Sequence, residues 1–365
     1  MKKVANITLH AINNYGSVFQ ALATEHLFEQ LDCKVETIDY VRENANIDTI
    51  RKIVTCKSVG NILKLKMLVQ HFMPIANKRK EVLDVFREKN LHLSKTQYRC
   101  DKDLLDNVPE ADIYCTGSDQ TWNIICQGEI PLPFFLHFVP DDKKKIAFSA
   151  SFGIDHLPDK DKLEVKRLLK RYDSISVRES SGVAILKDLG LDGTQVLDPT
   201  IAVGTEFWNK LAAPRMFDDD YLLTYQLNRN SVFTKYMKEY AKKNNLMIVQ
   251  VRSYKDTELD NGICLTAPRP EELLSLFKYS NKVLTDSFHA TAFCMMFHCN
   301  FMNIYPPRYA ARLESILNQT GLQSRHVTDF DRYDYADIPI DYSKVDAILE
   351  AERSKTLEFL KNSVL

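Results

Sequence analysis

Three residues near the end of the chain have types and spacing that suit chemistry on an anion. Asp286, Ser287 and His289 lie between a short apolar run at 283–284 and an almost wholly apolar segment at 290–297. This pattern predicts a buried strand that turns directly into a buried helix, with Asp286 or Ser287 as its N-cap. The free N–H groups and the positive dipole end of such a helix attract anions. His289 is then either a proton-transfer group at an anion site or a hydrogen-bonded core histidine.

Other polar candidates follow predicted strands in the first half of the chain. They are Asn14, Tyr15 and Gln20 after a strand at 4–9, Asp119 and Trp122 after a strand at 112–116, Ser151 after a strand at 145–149, and Arg178 after a strand at 174–177. Ligands of doubly wound sheets bind at the carboxyl ends of the strands. We therefore expect these side chains to line one crevice.

The elements that position these residues form two domains. A length of 365 residues exceeds one ordinary core. Strands and helices alternate in both halves, which favours two open α/β domains facing one cleft. We predict a first domain at 1–205, a second at 206–342, and a charged amphipathic helix at 343–365 that can pack back on the first domain.

Composition excludes several classes of protein. The net charge of −1 gives no indication of nucleic-acid binding. The apolar run after Met1 is too short for a signal peptide, and none approaches the roughly 20 residues of a membrane span. The eight cysteines are scattered without a C-x-x-C pair, so no metal site is predicted. Free thiols fit a reducing cytoplasm.

A basic helical insertion is predicted at about 48–90 in the first domain. The stretch 51–89 holds ten Lys or Arg and three Asp or Glu, interleaved with apolar residues. Such a segment can lie on an anionic membrane surface. The alternative is a solvated helical insertion that packs on its own domain.

Taken together, the polar strand ends resemble one family. They are Asn14-Tyr15-Gly16-Ser17 with Gln20, Gly117-Ser118-Asp119-Gln120 with Trp122-Asn123, Ala150-Ser151-Phe152-Gly153, Ser176-Val177-Arg178-Glu179, Leu197-Asp198-Pro199-Thr200, and Thr285-Asp286-Ser287-Phe288-His289. In this order, over residues 4 to about 325, the set resembles the polysaccharide pyruvyl transferase family.

The resemblance implies two Rossmann-like domains similar to the GT-B glycosyltransferases. It also implies phosphoenolpyruvate as donor and a sugar of a capsule or exopolysaccharide precursor as acceptor, with a pyruvate ketal and phosphate as products. A lipid-linked acceptor fits an enzyme in the cytoplasm at the inner face of the membrane, and neither a cofactor nor a metal is expected. Two residues depart from the family pattern, because some members have a base where this chain has Phe288, and close relatives often have glycine where it has Ala290.

The chemistry of such a transfer assigns expected roles to the candidates. They are His289 and Asp119 in proton transfer, Arg178, Ser287, Arg312 and Ser151 in donor binding, and Asn14, Tyr15, Gln20 and Trp122 in acceptor binding. A helix N-terminus disfavours an imidazolium, which argues against a protonated His289. The sequence leaves open whether this histidine acts as an acid or a base. The alternatives without a catalytic or binding role are a core position for Trp122, an ion pair with Glu179 for Arg178, and a capping role for Asp119.

Two other functions remain open from the sequence. One is a GT-B glycosyltransferase that uses a nucleotide sugar, although no clear nucleotide-binding pattern is present. The other is a non-catalytic glycan-binding relative of such enzymes. The intact set of polar strand ends favours an enzyme.

Overall fold

The structure is a computed structural model that describes residues 1–42, 73–252, 259, 261–306 and 310–365. Most of the predicted basic insertion, up to residue 72, lies outside the described residues. Its last part, Met73–Asn90, is a helix. The membrane-surface interpretation of the insertion therefore stays a prediction.

The first domain is built on a parallel sheet. Its seven strands among the described residues are β1 (Lys3–Ile7), β2 (Lys34–Tyr40), β3 (Leu93–Tyr98), β4 (Ile113–Thr116), β5 (Lys144–Ala150), β6 (Ser174–Val177) and β7 (Thr194–Gln195), in the spatial order β3-β2-β1-β4-β5-β6-β7. The chain order reverses between β1 and β4, which opens a crevice beyond their carboxyl ends.

The second domain repeats this design with a smaller parallel sheet. Its five strands in the part of the chain that the structure describes are β8 (Tyr221–Gln226), β9 (Met247–Arg252), β10 (Gly262–Leu265), β11 (Lys282–Thr285) and β12 (Asn300–Asn303), in the order β10-β9-β8-β11-β12. Here the order reverses between β8 and β11, so the loop after β11 lies at the second crevice.

Helices cover the sheets and connect the strands. Those that the structure describes are α1 (Tyr15–Glu29), α2 (Met73–Asn90), α3 (Asp101–Asp106), α4 (Ile124–Gln127), α5 (Asp159–Leu169), α6 (Ser180–Asp188), α7 (Pro199–Ala202), α8 (Thr205–Leu211), α9 (Ser231–Lys243), α10 (Pro270–Lys278), α11 (Phe288–Met296), α12 (Ala311–Gln319) and α13 (Tyr342–Val364).

Both faces of the first sheet are buried, because the helices that connect parallel strands cover the two sides of such a sheet. Val4 and Phe148 belong to one apolar cluster, whereas their neighbours in the strands, Ala5 and Ala147, belong to another. The two parallel sheets, with helices connecting their strands, confirm the predicted α/β fold of two Rossmann-like domains facing a cleft.

An aromatic cluster joins the two domains. The ring of Phe19 on α1 lies 5.4 Å from Trp208 on α8 and 5.1 Å from Phe293 on α11, and these last two rings are 5.2 Å apart. The three rings meet edge to face, a favourable geometry for aromatic pairs. The helix that carries His289 is therefore packed directly against the first helix of the chain.

The C-terminal helix α13 lies against the first domain. Thr356 Oγ1 accepts a hydrogen bond from the Leu197 N–H at 3.0 Å, and Ser174 Oγ donates to Ser363 Oγ at 2.9 Å. The end of the chain thus returns to the sheet in which it began.

The sequence analysis missed β3, because its four consecutive polar residues at 94–97 gave no apolar run. β3 is the edge strand of the first sheet, and its middle residues are exposed. An edge strand needs no apolar face toward solvent, so its hydrophobic signal is weak.

Candidate active site

The site lies where the N-terminus of α11 meets the N-terminus of α1. A Cβ atom at residue 16 would lie 2.1 Å from Nδ1 of His289 and 2.4 Å from its Cγ. Only glycine leaves room for an imidazole at this point. The two domains therefore touch through Gly16 and His289, at the crevice where the sequence predicted the site.

His289 is buried and its Nε2 atom lacks a hydrogen bond. The residue is 6 % exposed, and among the described residues no protein group accepts from or donates to Nε2. The nearest carboxylate oxygen is Oδ2 of Asp198, at 3.8 Å. Burial lowers the pKa of His289 to about 4, against the opposing attraction of Asp198 and Asp119. The imidazole is therefore neutral at physiological pH.

Arg178 lies close to this histidine, in a fully buried ion network. Its Nη1 donates to Asp198 Oδ2 at 2.8 Å and its Nη2 to Asp119 Oδ1 at 3.2 Å, while Glu179 Oε2 is 3.7 Å from Nε. The ring of Phe288 faces the guanidinium at 4.9 Å. The positive charge of Arg178 is thus already balanced by carboxylates of its own domain.

Asp119 is an ionised member of the network. It follows β4 in a left-handed backbone conformation with φ of 78°, and its carboxylate accepts from Ser17 Oγ and from the Gln120 N–H. Burial raises the pKa of Asp119, but Arg178 and His289 outweigh it and hold the pKa at about 2. At neutral pH this carboxylate can accept a proton or a hydroxyl hydrogen bond, and it holds no proton to give.

The sequence analysis did not place Asp198 in the site, although the structure does. Asp198 caps α7 by accepting from the Thr200 N–H at 2.9 Å, and it also accepts from Ser118 Oγ at 2.8 Å. Thr200 Oγ1 also donates to this carboxylate at 2.6 Å, and Asp198 interacts in addition with Arg178 and His289. The strand-end motif that contains Asp198 was recognised. However, an aspartate followed by proline is typical of a helix cap, and this pattern does not indicate that the same carboxylate also lies in the site.

Arg312 on α12 differs from Arg178 in having no carboxylate within ion-pair distance among the described residues, although the charges of Asp119, Glu179 and Asp198 act on it. Its Nε is buried without a hydrogen-bond partner, and no ion pair to this side chain occurs among the described residues. Burial, then repulsion from Arg178, lowers the pKa of Arg312 to about 10, so it remains a cation at neutral pH. This guanidinium is available to an anion.

Two predicted donor-binding serines have structural partners. Ser151 Oγ donates to Glu179 Oε1 at 2.8 Å, an oxygen that also accepts from the N–H groups of Phe152 and Gly153. Ser287 is the N-cap of α11, and its Oγ accepts from the Ala290 N–H at 3.4 Å. Both serines shape the crevice, and their roles in donor binding stay predictions.

Asp286 holds the second-domain loop in place. Its carboxylate accepts from the N–H groups of Leu227 and Asn228 at 2.7 and 2.8 Å, and from the Asn228 side chain at 3.0 Å. Burial raises the pKa of Asp286, against these hydrogen bonds. Asp286 therefore joins the loops after β11 and β8 while Ser287 caps the helix.

The four predicted acceptor-binding residues lie in different surroundings. Asn14 caps α1 through a 3.0 Å hydrogen bond from the Gly16 N–H and is half-buried at the crevice. Gln20 is fully buried and donates to Thr8 Oγ1 and the Ser17 carbonyl, both at 2.8 Å. Of these two residues, only Asn14 reaches the crevice surface.

Trp122 is a core residue, which corrects its predicted stacking on an acceptor sugar. It is 0 % exposed, its ring is stacked 5.5 Å from Phe135, and Phe152 packs at 5.1 Å. Its Nε1 donates to the Phe134 carbonyl at 2.9 Å. No ring face remains for a sugar. Tyr15 is likewise buried, and its hydroxyl donates to the Pro268 carbonyl at 2.6 Å, so it does not reach a saccharide either.

Within the residues that the structure describes, no group of three or more His, Cys, Asp or Glu side chains could hold a metal ion. No helix in the same part of the chain has both the length and the apolar character to cross a membrane.

Fold and site together define a two-domain α/β protein with a neutral, buried histidine at an interdomain helix N-terminus. The sequence model of the polysaccharide pyruvyl transferase family matches residues 14–307, about four-fifths of the chain. The chain therefore belongs to the polysaccharide pyruvyl transferase family. No curated protein sequence matches it significantly.

Several solved structures are similar over nearly the whole chain at very low identity. One is UDP-GlcNAc 2-epimerase from Neisseria meningitidis bound to UDP-GlcNAc, with 10% identity, 98% of this chain and 94% of that chain covered, and a TM-score of 0.46. Another is MnaA from S. aureus with UDP, with 9% identity, coverage of 98% and 91%, and a TM-score of 0.49. The glycosyltransferase SsfS6 from Streptomyces sp. SF2575 gives 13% identity, coverage of 97% and 96%, and a TM-score of 0.44.

Proposed function

We propose that this protein transfers pyruvate from phosphoenolpyruvate to a saccharide of a capsule or exopolysaccharide precursor, as a ketal. Family membership supports a pyruvyl transferase. The observation that carries the proposal is the neutral imidazole of His289, buried at a helix N-terminus with an unbonded Nε2 atom. Attack by a hydroxyl on an enol phosphate requires a base that accepts the hydroxyl proton and a site that binds the anionic donor.

The proposed reaction balances without a cofactor or a metal. C3 of the enol takes up one proton and becomes a methyl group, which makes C2 electrophilic. One saccharide hydroxyl attacks C2, the C2–O bond to phosphate breaks, and a second hydroxyl closes the ketal ring. The two hydroxyl groups release two protons, of which one is matched by the new C–H bond and the other leaves with phosphate.

His289 is proposed as the base that accepts a proton from the attacking hydroxyl. Since its pKa is about 4, the imidazole starts the cycle neutral. Asp198, whose Oδ2 lies 3.8 Å from Nε2, would stabilise the imidazolium that forms. General base catalysis of this kind contributes roughly 10²–10⁴ in rate.

Arg312 is proposed as the guanidinium that binds the carboxylate or phosphate of the donor. Arg178 is surrounded by Asp119, Asp198 and Glu179, so its charge is already satisfied. Arg312 has no carboxylate within ion-pair distance among the described residues, while its Nε, like that of Arg178, is buried without a hydrogen bond. A guanidinium matches a carboxylate or phosphate bidentately. In this proposal Arg178 orders the carboxylates near His289, and Arg312 holds the anion together with the N–H groups of α11.

The acceptor side of the proposal rests on fewer residues. Asn14 lies half-buried beside Gly16, where its amide can contact a sugar hydroxyl. Asp119 can accept a hydrogen bond from a second hydroxyl. A lipid-linked acceptor would bring the protein to the inner face of the membrane, which the basic insertion of the sequence would favour.

Donor identity is tested by binding to the intact protein. We expect phosphoenolpyruvate to raise the melting temperature of the wild-type protein, and Arg312→Ala to lose most of that shift. Inorganic phosphate should give a smaller shift, because it lacks the carboxylate. Stabilisation by a nucleoside diphosphate with none by phosphoenolpyruvate would overturn the proposal and favour a nucleotide-sugar glycosyltransferase.

A further inference from the structure

A buried arginine outside the carboxylate network crosses between the domains. Arg79 lies on α2 of the first domain and is 4 % exposed. Its Nη2 donates to the carbonyls of Arg252 at 2.9 Å and Thr266 at 2.8 Å, and its Nε donates to Thr266 at 3.1 Å. These carbonyls lie at the carboxyl ends of β9 and β10. The planar fork of one guanidinium therefore joins α2 to two strand ends of the second domain.

Tyr15 forms the second half of this connection. The Arg79 guanidinium lies 5.3 Å from the centre of the Tyr15 ring, within the range of a cation–π contact. The Tyr15 hydroxyl donates to the Pro268 carbonyl at 2.6 Å. Burial raises the pKa of this phenol. We call the pair Tyr15 and Arg79 the interdomain clasp.

The clasp belongs rigidly to the first domain. On α2, Phe86 meets Phe19 of α1 edge to face at 6.1 Å, and Leu83 is fully buried in the same cluster. Tyr15 is itself the first residue of α1. All hydrogen bonds of the clasp described above end on main-chain carbonyls of the second domain. The clasp therefore fixes the position of one domain relative to the other.

The next residue after Tyr15 is Gly16, against which the imidazole of His289 packs. We propose that Tyr15 and Arg79 are positioning residues, which hold the domains in the register that brings His289 against Gly16 and toward Asp119 and Asp198. This inference rests on the proposed function for its effect on turnover, and on the geometry alone for its effect on the domain contact.

Two variants test the clasp on the full-length protein. Arg79→Ala removes the guanidinium, and Tyr15→Phe keeps the ring but removes the hydroxyl that reaches Pro268. Loss of a hydrogen bond from a charged donor weakens a local closing equilibrium by about tenfold. We therefore expect amide hydrogen exchange of the peptides 14–20 and 288–296 to accelerate by about tenfold in Arg79→Ala, and less in Tyr15→Phe.

Arg87 offers a matched control on the same helix. It is 5 % exposed, and it donates to the His10 carbonyl at 3.3 Å and pairs with Asp84, all within the first domain. Arg87→Ala removes an equally buried guanidinium without touching the second domain. We expect it to lower the melting temperature but to leave exchange at 288–296 unchanged.

Turnover gives the second readout. With phosphoenolpyruvate as donor, Arg79→Lys should lower kcat by about tenfold with a nearly unchanged KM, because the ammonium cannot serve both strand ends and misplaces the base rather than the donor. Unchanged exchange at both peptides in Tyr15→Phe and in Arg79→Ala would overturn the clasp, whichever donor the enzyme uses. If Arg79→Ala does not fold, Tyr15→Phe decides by the same exchange measurement. Failure of phosphoenolpyruvate as donor with faster exchange in these variants would refute the proposed function and leave the clasp standing.

Discussion

The imidazole of His289 occupies the space that a side chain at Gly16 would need. A Cβ at residue 16 would lie 2.1 Å from His289 Nδ1, a separation that forces one of the two groups to move. We predict that Gly16→Ala lowers the free energy of unfolding by about 1–3 kcal/mol, as overpacking usually does, and strongly reduces turnover. Chemical denaturation and a kinetic assay measure the two effects.

A double-mutant cycle assigns this cost to the histidine. In a His289→Ala background the clash is absent, and alanine suits the first turn of a helix better than glycine. We expect Gly16→Ala to be neutral or stabilising there. An equal penalty in both backgrounds would show that the Gly16–His289 contact is not its cause.

The low pKa of His289 predicts a pH-dependent stability. The unfolded imidazole binds a proton with a pKa of 6.5, whereas the folded one does so only near pH 4. Protonation therefore favours the unfolded chain, and the free energy of unfolding falls as the pH drops from 6.5 to 4. The expected loss from His289 between pH 7 and pH 5 is about 2 kcal/mol. Burial raises the pKa of Glu25 to about 7, which acts in the opposite direction over the same range. Urea unfolding of wild type and His289→Gln at these two pH values isolates the histidine contribution as the difference between the two proteins.

His289→Gln should remove the loss of stability that His289 causes between pH 7 and pH 5, since glutamine does not titrate. Asp119 acts at lower pH, because its folded pKa of about 2 lies below its ordinary 3.8. Its contribution is complete above pH 3.8 and is lost as the pH falls toward 2. A slope between pH 5 and 7 that is the same in wild type and His289→Gln would contradict the neutral, buried imidazole.

Truncation of Arg178 should mainly lower stability, whereas truncation of Arg312 should mainly weaken donor binding. Arg178→Ala leaves buried carboxylates unpaired, so we expect a loss of about 3–5 kcal/mol in the free energy of unfolding. Arg312→Ala breaks no ion pair among the described residues and should change stability little. If Arg312 binds the donor, its truncation should raise the KM for phosphoenolpyruvate by about tenfold to a hundredfold. Denaturation and steady-state kinetics on both variants test the contrast, and a donor KM unchanged in Arg312→Ala would remove it from the site.

Trp122 should affect stability and leave acceptor binding unchanged. Trp122→Phe removes the indole N–H that bonds the Phe134 carbonyl and leaves a small void in the core. We expect a loss of about 1–3 kcal/mol and an acceptor KM within about twofold of wild type. A large rise in acceptor KM without loss of stability would restore the predicted stacking role.

The fold was largely predictable, because it depends on patterns that repeat along the chain. Apolar strands alternating with amphipathic helices predicted both parallel sheets, and the run around β11 and α11 predicted a buried helix with Ser287 as a possible cap. β3 was missed because an edge strand with polar residues carries little of this signal.

Most residues of the site were predictable from the sequence, but the ion pairs and hydrogen bonds between them were less so. Strand ends that carry polar residues identified His289, Asp119 and Arg178, yet no local pattern shows that Asp198 would share Arg178 with Asp119. Burial of Trp122 likewise depends on Phe135 and Phe152, which surround it only after folding. Long-range contacts decide which polar side chain stays available to a ligand, and single-sequence patterns do not contain them.

The central claim is that His289 serves a transfer of pyruvate from phosphoenolpyruvate to a saccharide. The most direct test mixes the purified protein with phosphoenolpyruvate and a panel of free and lipid-linked saccharides, and follows phosphate release together with the mass of the saccharide. We predict acceptor-dependent phosphate release, a mass gain equal to pyruvic acid minus water, and a loss of about a hundredfold in turnover for folded His289→Gln. Phosphate release and mass gain that persist at the wild-type rate in His289→Gln would contradict the claim.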